Sequence, residues 1–473
     1  MLFHSPEYFV FLAGVLILYY SLNHGWQNRM LLVASYLFYA FWDYRFLSLI
    51  FLSTVVDYLS ARALEHEHRP RRRQLLLGIS ILVNLGVLGF FKYFNFFAEN
   101  AQRVLSLLGL EVSLPVLYVI LPVGISFYTF QTMAYTIDVY RGKMRPVHRF
   151  LDFALYVSYF PQLVAGPIER PQRLLPALQS RRVVSSEHMA TGALLILIGL
   201  FRKIVIADGI GAQVDAVFAQ PEAYSSPELI KGIYLFALQI YCDFAGYTDI
   251  ARGTSRLLGI ELMENFQRPY FASNIRDFWR RWHISLSTWL RDYLYIPLGG
   301  SRKGSLRTYV NLMITMLLGG LWHGAAWTFV IWGGLHGLYL SLHRWLHTHF
   351  SDLRIGQMPP WVLPGGRVLG IVLTFHLVLL SWVFFRAPGL RAAVGYLQHA
   401  FSLASLEAWL AVLPSIAIPW TLVLLIDLPQ SMANSHTAML SWPRPLRHGA
   451  MAMLLFLVLM GIGTRAPFIY FQF

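Results

Sequence analysis

Charge is scarce in this sequence. Asp, Glu, Lys and Arg together make up 13% of 473 residues, about half the usual share of a soluble domain. Cysteine is nearly absent: Cys242 stands alone, which excludes an internal disulfide framework and any multi-cysteine metal centre. There is no GxSxG elbow and no Walker-type phosphate loop, so hydrolase and P-loop nucleotide chemistry lose their usual signatures. No internal repeat, low-complexity tract or linker to a soluble domain interrupts the chain. A single membrane domain over residues 1–473 is the simplest organisation.

What is abundant is apolar surface. Hydrophobic residues reach 56% and aromatics 15%, and the mean hydropathy is +0.51. Runs long enough to span a bilayer, at about 20 residues each, recur from Tyr8 to Met451. They predict an all-α polytopic membrane protein with ten to twelve crossings plus re-entrant or interfacial helices. The N-terminal run lacks a basic flank and a small-residue cleavage site, so it reads as a retained first span. The net charge of +14 comes from short basic loops such as Arg69–Arg73 and Arg141–Arg149. That placement fits cytoplasmic loops and contact with anionic lipid, and argues against nucleic acid.

Between Gln239 and Gly337 polar residues enter without the hydrophobicity disappearing. Asp243 and Asp249 fall inside one apolar helix, where a carboxylate either faces a polar interior or pairs with a nearby arginine. Further on, a single helix through NIRDFWRRWHISLSTWLRDYLY would align Trp279, Trp282, Leu286, Trp289 and Tyr293 in one stripe. Arg276, Arg280, His283 and Ser287 would then share a polar face, and Asp277 would reach Arg281 at i,i+4. Most of those arginines suit an interfacial helix resting on lipid phosphates. Pro297, Gly299 and Gly300 then stop the helix, and Arg302, Lys303 and Arg307 form a basic cluster.

The run LLGGLWHGAAWTFVIWGGLHG holds His323 among glycines and tryptophans. Imidazole can accept a hydroxyl proton near neutral pH, and an ionisable group at membrane depth is a functional candidate by default. A structural histidine bonded to a neighbouring helix is the competing reading, and it is the one adopted for His336. The group His343, His347 and His349 has partial helical ligand spacing but no acidic third ligand on its face, so no metal is assigned.

Taken in order, these segments resemble the bacterial branch of the membrane-bound O-acyltransferase family. The stretches that carry the resemblance are LLVASYLFYAFWD, LGFFKYFNFF, LPVGISFYTFQTMAYTIDVYRG, FPQLVAGPIER, DFAGYTDIARG, ENFQRPY, FWRRWHISLSTWLRDYLYIPLGGSRKG, LLGGLWHGAAWTFVIWGGLHG and the closing PFIYFQF. The motif-bearing core runs from about residue 31 to 347, with further helices over 367–464. The resemblance implies helices around an hourglass passage, with His323 and His283 as the catalytic pair. It also implies that Asp243, Tyr247, Trp279, Arg280, Trp282, Ser287, Arg291, Asn311 and Trp322 line the passage or bind substrate.

The implied donor is acetyl-coenzyme A or another cytoplasmic acyl thioester, with no permanently bound cofactor. The implied acceptor is an exopolysaccharide, alginate first, reached with a periplasmic serine-hydrolase-like acetyltransferase as partner. The implied location is the bacterial inner membrane. Another surface polymer (acetylated cellulose or D-alanylated teichoic acid) fits the same motifs, and a transporter relaying ions through its buried Asp and His residues is the rival of a different class.

Overall fold

A computed structural model describes residues 1–350 and 362–462; the closing PFIYFQF motif lies outside them. Among the described residues the secondary structure is helical throughout, with no strand. Six helical stretches are long and apolar enough to cross a membrane: His24–His66, Pro70–Leu107, Ser186–Ala219, Ser226–Leu257, Gly365–Arg386 and Leu406–Met432. The apolar run near Val116 is instead chain without regular structure, and the run at Phe150 makes a nine-residue helix. Pro115 and Pro122 withhold backbone donors from the first of these.

The chain divides into two compact units, Met1–Ile196 with Ile250–Met263, and Leu197–Asp249 with Glu264 onward. The first contains α1 (Pro6–Ser21), α2 (His24–Asp43), α3 (Leu47–His66), α4 (Pro70–Leu88), α5 (Phe94–Leu107), α6 (Ile125–Tyr140), α7 (Phe150–Ser158), α8 (Phe160–Leu163), α9 (Pro171–Gln179) and most of α10 (Ser186–Leu200). Asp57 of α3 organises its polar interior. It accepts hydrogen bonds from Ser80, from Asn84 (2.7 Å) and from Thr136 (2.7 Å), so α3, α4 and α6 converge on one carboxylate. With no water at that depth, a polar side chain must find its partners within the protein. Near the unit's end Glu169, 1% exposed, accepts from the backbone N–H of Met263.

The second unit holds α11 (Gly209–Ala219), most of α12 (Ser226–Leu257), α13 (Ile275–Arg281), α14 (Ile284–Leu290), α15 (Ser305–His323), α16 (Trp327–Phe350), α17 (Val362–Arg386), α18 (Leu390–Ala400), α19 (Leu406–Met432) and α20 (Arg444–Met460). Its most intimate packing joins α15 to α16. A Cβ at Gly320 would overlap the Phe329 carbonyl, and one at Gly333 would overlap the Met316 carbonyl. The glycines bring two helix backbones into contact, as small residues do between membrane helices.

A buried ion cluster ties the same unit together. The π-helical turn Phe201–Asp208 presents Arg202 to Asp249 and Asp427, both at 2.5 Å. It presents Lys203 to Asp208 at 2.8 Å and to Asp243 at 2.7 Å. Asp427 also accepts from the Tyr241 hydroxyl at 2.8 Å. Each of the two cations thus pairs with two of the four carboxylates, and such pairing is the condition for tolerating buried charge.

Candidate active site

The segment from Asn274 to Tyr295 is not one helix. α13 ends at Arg281, Trp282 is extended (φ −103°, ψ 126°), and His283 adopts the left-handed region (φ 43°, ψ 55°) before α14 begins. For a residue with a Cβ that conformation costs about 1–2 kcal/mol. Asn265 supplies the compensation. Its carbonyl accepts the Ile284 N–H at 2.9 Å, and its Oδ1 accepts both the Ser285 N–H (3.1 Å) and the Ser285 hydroxyl (2.8 Å). The break therefore has a built support in the ENFQRPY motif.

This corrects the single polar face expected from helical arithmetic. The break turns His283 away from Arg276, Arg280 and Ser287 and buries it completely. Phe244 meets its ring edge-on at 4.7 Å, and Phe266 stacks on it at 6.5 Å. The Asp277–Arg281 ion pair does form, at 3.0 Å.

His323 is the last residue of α15, and Gly324 after it leaves the helix in extended conformation (φ −157°, ψ 147°). The imidazole is 4% exposed. Its ring centroid lies 6.2 Å from that of His283, and Trp322 contacts both rings, at 5.0 and 5.9 Å. Two histidines from separate motifs, 40 positions apart in sequence, thus come together in an aromatic interior. Neither imidazole lines the neighbouring cavity; the pairing of two imidazoles is the arrangement that proton transfer with a second group to orient or stabilise charge would use.

A cavity of about 600 Å³ opens among α13, α14, α15 and α16. Trp279, Arg280, Ser287 and Arg291 line it together with Arg276, His343, Arg344 and His347, and among the described residues no carboxylate does. Ser287 donates its hydroxyl to the Trp279 carbonyl at 2.9 Å, and Arg291 pairs with Asp292 at 2.7 Å. The Trp279 indole donates to His336 at 3.3 Å, and His336 meets the Ser381 hydroxyl at 3.0 Å, the inter-helix role expected of it. His343 and His347, set aside in the sequence for want of a third ligand, are part of this basic wall. Among the described residues no group of three His, Cys, Asp or Glu is placed to hold a metal.

Other sequence candidates lie elsewhere in the unit. Trp282 is buried against Phe278, stacked at 5.5 Å, and against Trp382 at 5.1 Å. Asn311 donates to the Gly300 carbonyl at 2.9 Å and so anchors the glycine turn (Gly299 φ 115°, Gly300 φ 54°) to α15. Asp243 is the ion-pair partner of Lys203, and Tyr247 is buried on α12 outside the cavity wall. Asn265, Arg202, Lys203, His343, Arg344 and His347 were not among the site residues read from sequence. The adjacent Arg202–Lys203 pair inside an apolar run was the available signal for the ion cluster; for Asn265 the signal was its place in the ENFQRPY motif.

The sequence profile of the membrane-bound O-acyltransferase family matches residues 73–383. A probable alginate O-acetylase of Pseudomonas putida is 41% identical over 406 residues, covering 85% of this chain and 80% of its own length. A peptidoglycan O-acetyltransferase of Helicobacter pylori is 37% identical, covering 84% and 79%. A teichoic acid D-alanyltransferase of Bacillus subtilis is 30% identical, covering 55% and 68%.

Proposed function

The chain belongs to the membrane-bound O-acyltransferase family, and on that premise we propose that it moves an acetyl group from a cytoplasmic acyl thioester across the membrane for O-acetylation of an exported polysaccharide, alginate first. The observation that carries the reading is the buried pair of imidazoles, 6.2 Å apart, contributed by the two histidine motifs.

In this mechanism His323 is the general base. It takes the proton of the acceptor hydroxyl as that oxygen attacks the thioester carbonyl. The new C–O bond forms, the C–S bond breaks, and the proton passes to the departing thiolate, so no net proton is consumed. General base assistance of this kind contributes about 10²–10⁴-fold. His283 orients the thioester or steadies the oxyanion, held in place by the Asn265 bonds. The arginine-rich cavity suits the phosphates of a coenzyme A thioester, since guanidinium groups bind phosphate with paired, charge-assisted hydrogen bonds. Arg276, Arg280, Arg291 and Arg344 are the contacts we assign to them.

Asp243, Tyr247 and Asn311 support the site from a distance, and Trp279, Trp282, Ser287 and Trp322 shape its walls. We place the protein in the bacterial inner membrane, working with a periplasmic serine-hydrolase-like acetyltransferase that completes delivery to the polymer. Relatives acting on alginate, peptidoglycan and teichoic acid are known by name, and the greater identity and coverage of the O-acetylases favour acetyl. The test is His323→Ala expressed in the native host: polymer-bound acetate, measured after alkaline release, should vanish while membrane levels of the protein stay normal. Acetate retained at the wild-type level refutes the assignment.

A further inference from the structure

His323 stands in an enclosure whose composition the proton-transfer chemistry does not require. Besides Trp322, its ring meets Trp332 at 5.1 Å and Phe385 at 5.3 Å, both at steep angles. Trp382 closes the group, stacked on Trp332 at 5.8 Å and edge-on to Phe385 at 5.3 Å. All three of these neighbours are 1% exposed. A histidine that needed only a low-dielectric setting could be surrounded by leucine.

Two independent observations give the enclosure a purpose. The Nε1–H groups of Trp332 and Trp382 are buried and have no acceptor among the described residues. Buried indole donors normally find a partner, and leaving one unmade is costly. Two such donors, one in a ring against His323 and the other in the ring stacked behind it, point to an oxygen that arrives with the substrate. Second, the wall is closely packed. A Cβ at Gly324 would overlap the Phe329 ring, which packs edge-on against Phe385 at 4.9 Å. The Gly320 and Gly333 contacts already hold α15 and α16 together at their backbones. A rigid aromatic wall discriminates by size where a flexible aliphatic one would adapt.

We propose that Trp332, Trp382 and Phe385 are the acyl-length selectors of this enzyme. The rings pack on the acyl methyl group, the unpartnered indole N–H groups donate to the thioester carbonyl oxygen, and chains longer than three carbons do not fit. The proposal rests on His323 as the site of transfer and adds which residues fix the acyl group.

The test uses membranes carrying the full chain, incubated with coenzyme A thioesters of labelled acetate, propionate and butyrate. Label retained as ester after thioesters are destroyed is counted, whatever the acceptor. A methylene more or less in a fitted pocket is worth about 10–200-fold, so wild type should transfer butyryl at least ~100-fold less efficiently than acetyl. Phe385→Leu and Trp382→Ala should raise the butyryl-to-acetyl ratio about tenfold or more. Trp382→Phe, which keeps a ring but removes the N–H, should slow acetyl transfer and leave the ratio near wild type. Equal use of butyryl and acetyl by wild type overturns the proposal without reference to any variant, as does an unchanged ratio in Phe385→Leu and Trp382→Ala. Labelling that persists in His323→Ala overturns the general-base reading instead, and leaves the length profile readable.

Discussion

Replacing Asn265 with Ala should disable the enzyme by more than it destabilises it. The side chain touches neither histidine's ring in the hydrogen-bond pattern; it acts through Ser285, whose N–H and hydroxyl both end on its Oδ1. Asn265→Ala leaves those two donors buried without an acceptor, at about 1–3 kcal/mol each. The Ser285 hydroxyl can rotate to a backbone carbonyl, which trims the sum. Letting His283 relax from φ 43° returns about 1 kcal/mol. The net cost to folding is then about 2–3 kcal/mol, visible as a lowered melting temperature in detergent. In the proposed mechanism catalysis depends on where His283 sits, and a shift of about 1 Å can cost ~10²-fold. The assay is ester formation from labelled acetyl-coenzyme A, normalised to folded protein by size-exclusion peak area. Asn265→Asp keeps both accepting oxygens and should retain more activity than the Ala variant. Refutation is simple: Asn265→Ala with wild-type turnover per folded molecule would mean that the left-handed His283 does not need this support.

Three further outcomes are expected. Asp427→Ala strips Arg202 and the Tyr241 hydroxyl of a shared partner, and should cost about 3 kcal/mol, the scale for breaking a buried pair; a melting temperature within error of wild type would count against it. Gly320→Ala puts a methyl group into the Phe329 carbonyl, so α15 and α16 must separate and transfer at His323 should fall about 100-fold, read by the same labelling assay. Burial pushes the Glu169 carboxyl up to about 7, with the Met263 N–H and nearby arginines pulling the other way. The folded state therefore holds that proton more tightly than the unfolded chain. Its stabilising contribution is complete below about 4.5 and fades as pH rises through about 7, so Glu169→Gln should flatten the melting temperature between pH 5 and 8.

The membrane class was legible because apolar length is a property a sequence states outright, and His323 stood out as an ionisable residue where none is cheap; His283 was read on a polar helical face that the structure breaks, and the pairing of the two came from the family resemblance. His336 as an inter-helix bond and the Asp277–Arg281 pair were legible for the same local reasons. The paired cations of Asp243 and Asp249 were only half legible. A pairing with arginine was one of two readings, but the partners Arg202 and Lys203 lie about 40 residues away on a π-helical turn, and no periodicity reports such a turn in advance.

The break at His283 shows why the rest stayed hidden. Over RRWHISLS the spacing of aromatic and basic residues satisfies a continuous helix, and no glycine or proline interrupts it. Local propensity therefore favours the wrong backbone. What overrides it is Asn265, nearly twenty residues upstream, whose carbonyl and side-chain oxygens capture the donors that α14 must expose at its start. Those donors exist only once the helix is broken, so the support and the break define each other, and neither can be read without the fold. The same logic explains the basic cavity. Arg344, His343 and His347 sit on α16, about 50–70 residues from Arg276, Arg280 and Arg291, and read as a polar helix end on their own. They become one basic wall only because the glycines of α15 and α16 bring the two helices together beside α13 and α14. A pocket assembled from two motifs takes its side chains from both and its position from the small residues between them, so the glycines of LLGGLWHG and VIWGGLHG shape it by letting the two backbones meet.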